Sequence, residues 1–553
     1  MAGDKGNGAS RPPLTGGALV LLTAGVALAT FMEVLDISIV NVSVRTIAGN
    51  VGVSSNEGTM AISAYSMASA VMQPLTGWVA RRFGEVRTFM VSVMLFVVFS
   101  ALCGFSTSMP MLIVFRLLQG AVSGPMVPLS QTLLLNNYPV AKRPIALALW
   151  AMTVVVAPVF GPILGGWITD NYHWSWIFFI NIPVGVFAVV VTYALLRDRE
   201  SKITKMPIDA VGLFLLAVGV GCLQFMLDNG NDDDWFTSNT ITVLAIVSVV
   251  CLTFMVAWEL MHKHPVVELR LLGKRNFLVG VLCLSLGMFA FFGGTVVMPM
   301  WVQEVLGYTA TWAGFVVAPI GILAIILSPI VGVFQSKFDL RLLNTIGFAV
   351  FAAASFYMST LSTNAPYGEL AIPRLCMGAG IALFFVPVNQ IILSGLPDDE
   401  VASASGLSNF FRTLAGSIAT AVSTTMYSHR TTYHHAVLTE NVSAGSRATT
   451  EYLDRFQALG VQGPTANAAL NRIVDLQAAT LAVNDVFWIF GLIFGLAMVA
   501  IWFAKPPFAS GGTPGHLCPS TTSHRRSAPC ARQPFARSCR GRGPLLHGKP
   551  TPW

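Results

Sequence analysis

Apolar residues gather along this chain into long, nearly unbroken runs, and polar residues into the short stretches between them. A helix needs about 20 mostly apolar residues to cross roughly 30 Å of hydrocarbon. Fourteen runs meet that need, at approximately 18–43, 59–79, 88–105, 109–134, 145–169, 176–196, 208–227, 239–261, 277–300, 311–334, 343–362, 369–393, 407–427 and 481–504. The pattern predicts an all-α integral membrane protein with fourteen transmembrane helices. The first run is too long for the apolar part of a cleavable signal and carries carboxylates, so it reads as a span. The connecting loops are mostly 5–15 residues, too short for a soluble domain. The exception is 428–480, 53 residues rich in Ala, Thr, Asn and Gln, where one or two short helices are expected.

Composition narrows the function. Of the 553 residues, 54% are apolar and only 11% are Asp, Glu, Lys or Arg, against about 25% charged in a typical soluble domain. So little charge cannot cover a water-facing surface, which argues against a soluble enzyme, a disordered protein and a nucleic-acid binder. The net charge of +7 comes entirely from the last 45 residues. That segment, 509–553, has seven Pro, three Cys and seven Arg or Lys without any Asp or Glu. It reads as a tail never selected for structure, such as a frame-shifted end, more than as a basic tail that touches anionic lipid. Cys103, Cys222, Cys251, Cys283 and Cys376 sit in apolar runs as small hydrophobes, and no Cys/His spacing reads as a metal site. No cofactor is expected. A phosphate-binding G-x-x-x-x-G-K-[ST] loop is missing, which argues against an ATP-driven pump and leaves an ion gradient or downhill flow as the source of work. With both termini placed in the cytoplasm, the inward segments up to residue 508 hold 18 Lys and Arg and the outward loops five, as the positive-inside rule requires.

Ionisable groups inside a span are costly and are functional candidates for that reason. Glu33 and Asp36 lie three apart in the first run and share one helix face. Arg116 lies in the fourth, Arg374 and Arg412 in the twelfth and thirteenth. At about 1.5 Å per residue, Asp36 and Arg116 both fall roughly 10 Å below the outer face, which permits an ion pair. A carboxylate there titrates according to its partner's position, the property a proton-coupled carrier needs. The plain alternative is a static pair that ties two spans together. Glu33, one turn deeper, either shares the coupling or faces a cationic ligand. Arg374 and Arg412 are expected to snorkel to the interface. In GWVARRFGEVR (77–87), Gly77 and Gly84 permit a tight turn, and Arg81, Arg82 and Arg87 either latch one conformation or anchor the loop. GVFQSKFDLR (332–341) is a weaker copy, with Phe338 matching Phe83 and Lys337 matching Arg82, which hints at two related halves. In APVFGPILGG (157–166), Gly161 and Gly165 form a small-residue face, while Pro158 and Pro162 bend the span. That segment shapes the cavity or simply packs tightly.

These motifs together resemble the fourteen-span drug:proton antiporters of the major facilitator superfamily, closely the EmrB/QacA family. LDISIVNVSV resembles its first-span signature, with Asp36 at the acidic position. GWVARRFGEVR resembles the superfamily loop motif, RLLQG (116–120) the fourth-span motif, and GPILGG the antiporter motif. HWSWIFFINIPVG (173–185), QEVLGYTATWAG (303–314) and SASGLSNFFRTLAGSI (403–418) are also similar to the family. Similarity covers about 15–508. Arg81 departs from the family, standing where the loop motif usually has Asp, and Glu33 stands where many relatives are uncharged. The resemblance implies a cytoplasmic segment 1–16, a six-helix bundle 17–196, two extra helices within 197–276, a second bundle 277–504 and a cytoplasmic tail 505–553. It implies alternating access, with Asp36, Arg116 and Glu33 in proton coupling. It implies proton-driven export of hydrophobic, often weakly acidic or cationic, toxic compounds across a bacterial inner membrane. Its implied partners are a periplasmic membrane fusion (adaptor) protein and an outer-membrane channel. The loop 428–480, with Arg430, Tyr433 and His434 near its anchored start, is expected either to form short helices that contribute to adaptor docking or to be a solvated loop that folds on its own spans. Rival readings are a carrier of one specific metabolite and a non-transporting receptor, the latter disfavoured by the lack of a signalling domain.

Overall fold

The computed structural model describes residues 13–508, except 202, 205, 206, 208, 232, 263, 264, 441 and 443–445. The segment 509–553, which the sequence marks as an unselected tail, lies outside the described residues. Helices account for the architecture. The first group is α1 (Gly16–Val51), α2 (Ser55–Met72), α3 (Thr76–Phe83), α4 (Glu85–Gly104), α5 (Met109–Ser123), α6 (Met126–Asn137), α7 (Arg143–Asn171), α8 (Trp176–Phe179) and α9 (Asn181–Leu196). A pair follows, α10 (Ala210–Asn229) and α11 (Asn239–Met261). The second group is α12 (Arg275–Glu304), α13 (Ala310–Val317), α14 (Pro319–Phe334), α15 (Leu340–Met358), α16 (Tyr367–Leu393), α17 (Val401–Glu440), α18 (Arg447–Ala458) and α19 (Pro464–Ala500).

Proline explains where single apolar runs break into two helices. Pro74 separates α2 from α3, Pro125 separates α5 from α6, and Pro319 opens α14 directly after α13. Each removes one backbone donor and forces a local turn. At the first break, the carbonyl of Gln73 accepts from Thr76 N at 3.1 Å and from Thr76 Oγ1 at 2.6 Å. Twelve of the fourteen runs form helices long and apolar enough to cross a membrane. The other two, α2–α3 and α17, are helical but more polar. Polar residues on them point into the protein: Ser405, Ser408 and Asn409 on α17, Ser69 on α2 and Gln73 just after it are all buried.

In the first group α1 packs against α7 and α9, and α2 against α5. In the second, α12 packs against α17 and α19, and α16 against α14 and α15. The α10–α11 pair leans on α2. The two groups meet along α7–α14 and where α3 and α6 face α17.

One face of the molecule gathers both ends of the described chain and six connections. Leu14 N donates to Asn137 O at 3.1 Å, and Lys505 N to Asn276 Oδ1 at 2.8 Å. Asn136 donates to Glu85, Arg81 pairs with Glu268 at 2.5 Å, Lys274 pairs with Glu400, and Arg143 with Asp398 at 3.5 Å. This terminal face is closed between the groups. A side chain at Gly77 would overlap Ser403, and one at Gly406 would meet the carbonyl of Gln73. Deeper in, Gln131 donates to Asn389 at 3.4 Å and Trp150 stacks on Phe385 at 6.0 Å.

The polar segment 428–480 is mostly an extension of its flanking helices. α17 runs on to Glu440 and α19 begins at Pro464, so α18 is the one separate helix between them among the described residues. Arg430 Nη2 pairs with Asp485 at 2.5 Å, His434 Nε2 bonds the same carboxylate at 2.7 Å, and Arg430 lies over the Tyr433 ring at 4.9 Å. These contacts tie the extension of α17 to α19.

Candidate functional site

The first helix carries Asp36 because its apolar faces bury themselves on α7 and α9 and leave that position pointing at α5. Arg116 Nη1 donates to Asp36 Oδ2 at 2.5 Å, with both side chains fully buried. Two further donors complete the carboxylate. Asn181 Nδ2 reaches Oδ1 at 2.9 Å, and Gln119 Nε2 reaches it at 3.4 Å. The guanidinium is held in turn: Nη1 also donates to Gln119 Oε1 at 2.8 Å, Nε to the Ala61 carbonyl at 3.4 Å, and the Tyr65 ring lies 4.2 Å from Cζ. Asn181 also donates to Ser100 Oγ at 3.0 Å, which donates to the Phe178 carbonyl at 2.9 Å. Five helices, α1, α2, α4, α5 and α9, thus meet at one ion pair.

An ion pair out of water depends on this closure. Desolvating two charges costs several kcal/mol each, and these hydrogen bonds offset part of it; Arg116 Nη2 has no hydrogen-bond partner among the described residues. Removing the charge on Asp36 would leave Arg116 buried beside neutral partners.

Helix depth puts Asp36 and Arg116 together from sequence, but the rest of the shell was missed. Gln119 sits inside RLLQG and Asn181 inside the NIPVG stretch, and both amides carried a usable signal: an uncharged polar side chain in an apolar run must find a partner. Glu33 lies outside this shell. It is 2% exposed, and its Oε2 has no hydrogen-bond partner among the described residues. The cation acting on it is Arg412, from α17 of the other group. Arg412 Nε in turn donates to Asn409 Oδ1 at 3.1 Å. This corrects the expectation that Arg374 and Arg412 snorkel to the interface. They are 1% and 7% exposed, because their helix faces look into the bundle and not toward lipid.

The remaining candidates divide by location. Gly161 and Gly165 form the surface of α7 that meets α1: a Cβ at Gly161 would overlap Ser38, and one at Gly165 would sit 3.1 Å from the Ile39 carbonyl. Both contacts are within a turn of Asp36. α7 passes through Pro158 and Pro162 as a continuous helix. Gly77 touches the other group at Ser403. Of the arginines of the same motif, Arg81 and Arg87 find partners in connecting segments and Arg82 on its own helix. Arg81 pairs with Glu268, and Arg82 lies over the Trp78 ring at 5.5 Å. Arg87 is 3.9 Å from Glu200. Gly84 has φ +95° and leaves the space that Glu200 fills. Glu200 caps α4 by accepting from Val86 N and Arg87 N, both at 2.9 Å, where the helix dipole favours an anion. Among the described residues no cluster of His, Cys, Asp or Glu forms a metal site.

Comparison with known proteins matches residues 26–420 to the family model of the Major Facilitator Superfamily. The chain is 49% identical over 507 residues to the multidrug export protein EmrB of Haemophilus influenzae, covering 91% of this chain and 99% of that one. It is 48% identical to EmrB of Escherichia coli K12, covering 91% and 98%. It is 44% identical to the fatty acid resistance protein FarB of Neisseria gonorrhoeae, covering 91% and 99%. Among solved structures it resembles the proton:xylose symporter XylE, with a TM-score of 0.54 at 14% identity over 88% of this chain and 95% of that one. The human organic anion transporter MFSD10 gives a TM-score of 0.55 at 13% identity over 88% and 100%. At those identities the structural likeness speaks for the fold alone.

Proposed function

The chain belongs to the Major Facilitator Superfamily, and from that premise we propose that it exports hydrophobic toxic compounds across the inner membrane in exchange for protons. The relatives' names, multidrug export and fatty acid resistance, support a cargo that is apolar and chemically varied. The observation that carries proton exchange is the fully buried Asp36–Arg116 pair and its shell of amide donors. In the closed state of the terminal face, Asp36 is ionised and α1 is drawn to α5. A proton entering from outside neutralises Asp36, releases Arg116, and lets α1 slide on the glycine face of α7. The groups then part at Gly77–Ser403 and the terminal face opens to take cargo. By the excess of Lys and Arg in its connections, that face lies in the cytoplasm. Cargo sits between the groups near Glu33 and Arg412, whose opposite charges accommodate cationic or acidic compounds. Through its long outward segment the carrier works with a periplasmic adaptor and an outer-membrane channel.

The test is transport in reconstituted vesicles. An imposed pH gradient should drive accumulation of a fluorescent dye, and collapsing the gradient with nigericin should abolish it. Dye movement indifferent to the gradient would remove the exchange mechanism.

A further inference from the structure

The ion pair of the first group has a counterpart in the second that lacks its anion. Arg116, Leu117 and Gly120 on α5 recur as Arg374, Leu375 and Gly378 on α16, at the same spacing. The glycines behave alike: a Cβ at Gly120 would overlap the Tyr65 carbonyl on α2, and one at Gly378 the Ile320 carbonyl on α14. The arginines do not. Arg374 is as buried as Arg116, but where Arg116 meets Asp36, Arg374 Nη2 meets the backbone carbonyl of Gly294 on α12, at 2.7 Å. The described residues give it no carboxylate partner.

A guanidinium cannot discard its charge by releasing a proton. Its burial therefore calls for a negative charge nearby. The surroundings have room for one. A cavity of about 10 Å³ lies against Arg374, Ser355, Phe291, Phe351, Phe487 and Phe490. Arg374 Nε and Ser355 Oγ are both buried there without a hydrogen-bond partner among the described residues. Arg374 Cζ also lies over the Phe487 ring at 5.7 Å. The lining thus offers two donors and a full positive charge. A water molecule would answer the two donors and leave the charge; an anion answers both. The cavity is at the lower bound for one water-sized particle, so a halide enters it only as the surrounding side chains give by a few tenths of an ångström, and a carboxylate or a sulfate does not fit.

We propose that the second group binds a single halide-sized anion between Arg374 Nε and Ser355 Oγ, as the counter-charge that Asp36 supplies in the first. In the cell that anion is chloride. The inference rests on the second group alone and stands whether or not protons drive transport.

The experiment uses the full chain purified in detergent, at constant ionic strength, with gluconate replaced stepwise by chloride or bromide. Thermal unfolding should shift upward by several degrees and saturate, as for a ligand that binds the folded state. Benzoate, a probe for the acid group of a cargo molecule, should do nothing. Ser355→Ala should raise the half-saturating chloride concentration about tenfold, since a hydrogen bond to an anion is lost. Arg374→Met should unfold at a temperature independent of halide. Crystals grown in bromide should show its anomalous signal between Arg374 and Ser355. An unfolding temperature equal in chloride and gluconate, or an undiminished halide response in Arg374→Met, would overturn the proposal. Stabilisation by benzoate and not by chloride would overturn it too, assigning the site to cargo.

Discussion

A carboxylate and a guanidinium shut away from water stabilise the chain only as a pair, so the two partners should fail differently when changed singly. Asp36→Asn keeps the shape of the side chain beside Asn181 and Gln119 but cannot titrate. Gradient-driven transport should fall to background while the protein inserts and purifies as before. Normal resistance in cells carrying Asp36→Asn would refute its assignment. Arg116→Ala strands a buried carboxylate, at a cost of about 3–5 kcal/mol, and should lower the unfolding temperature as well as transport. Among the described residues Glu33 has no guanidinium in contact, and its Oε2 has no hydrogen-bond partner. Glu33→Gln should therefore be milder. Side-by-side export assays should show a loss for cationic dyes larger than the loss for neutral ones.

Helix contacts make these residues act on the whole molecule. α1 and α7 come close because Gly161 and Gly165 leave out side chains at the points where Ser38 and Ile39 approach. Gly161→Val should force the helices apart and cost about 1–3 kcal/mol, visible as a lower unfolding temperature and slower transport. Gly166, in the same motif, has open space within 4 Å of where a Cβ would stand, and Gly166→Ala should be silent. Agreement between the two variants would show that helix sequence, and not local contact, governs the motif. At the other end of the molecule, Gly77 meets Ser403 across the two groups. Gly77→Leu should hold the terminal face open. Arg143 and Asp398 now pair at 3.5 Å, and the double variant Arg143→Cys, Asp398→Cys should then cross-link poorly.

Across the whole molecule, the two groups are joined by an apolar pair of helices and by a face on which charges from connecting segments meet. Arg81 finds its anion in Glu268, beyond α11, so this arginine ties the loop motif to the linker, while Gly77 of the same motif meets the second group at Ser403. The opposite face carries the long polar segment. Its separate part is α18 with its flanking turns, since removing residues up to 470 would cut away Ala466 and Leu470, which are buried parts of α19. Deleting 447–462 should leave dye transport in vesicles intact and remove resistance in whole cells. Survival of both would place adaptor docking elsewhere, and loss of both would assign the segment to transport or folding.

The sequence by itself determined the class of the protein and most of its spans, because hydrocarbon imposes length and apolarity on any chain that crosses it. It also determined that Asp36 and Arg116 lie at one depth, because helical rise converts residue number into distance. Tertiary structure decided what a periodicity cannot carry. The polar faces of α2–α3 and α17 are tolerable only because neighbouring helices cover them. Arg374 and Arg412 sit near the ends of apolar runs, where a lone helix would let them reach water, and only packing shows that they face inward. Gln119 and Asn181 join Asp36 from helices far apart in the chain, and the anion missing beside Arg374 becomes visible only when Ser355 and Gly294 are brought to it. Depth is a property of one helix and can be counted; partnership belongs to several helices at once and is set by how they pack.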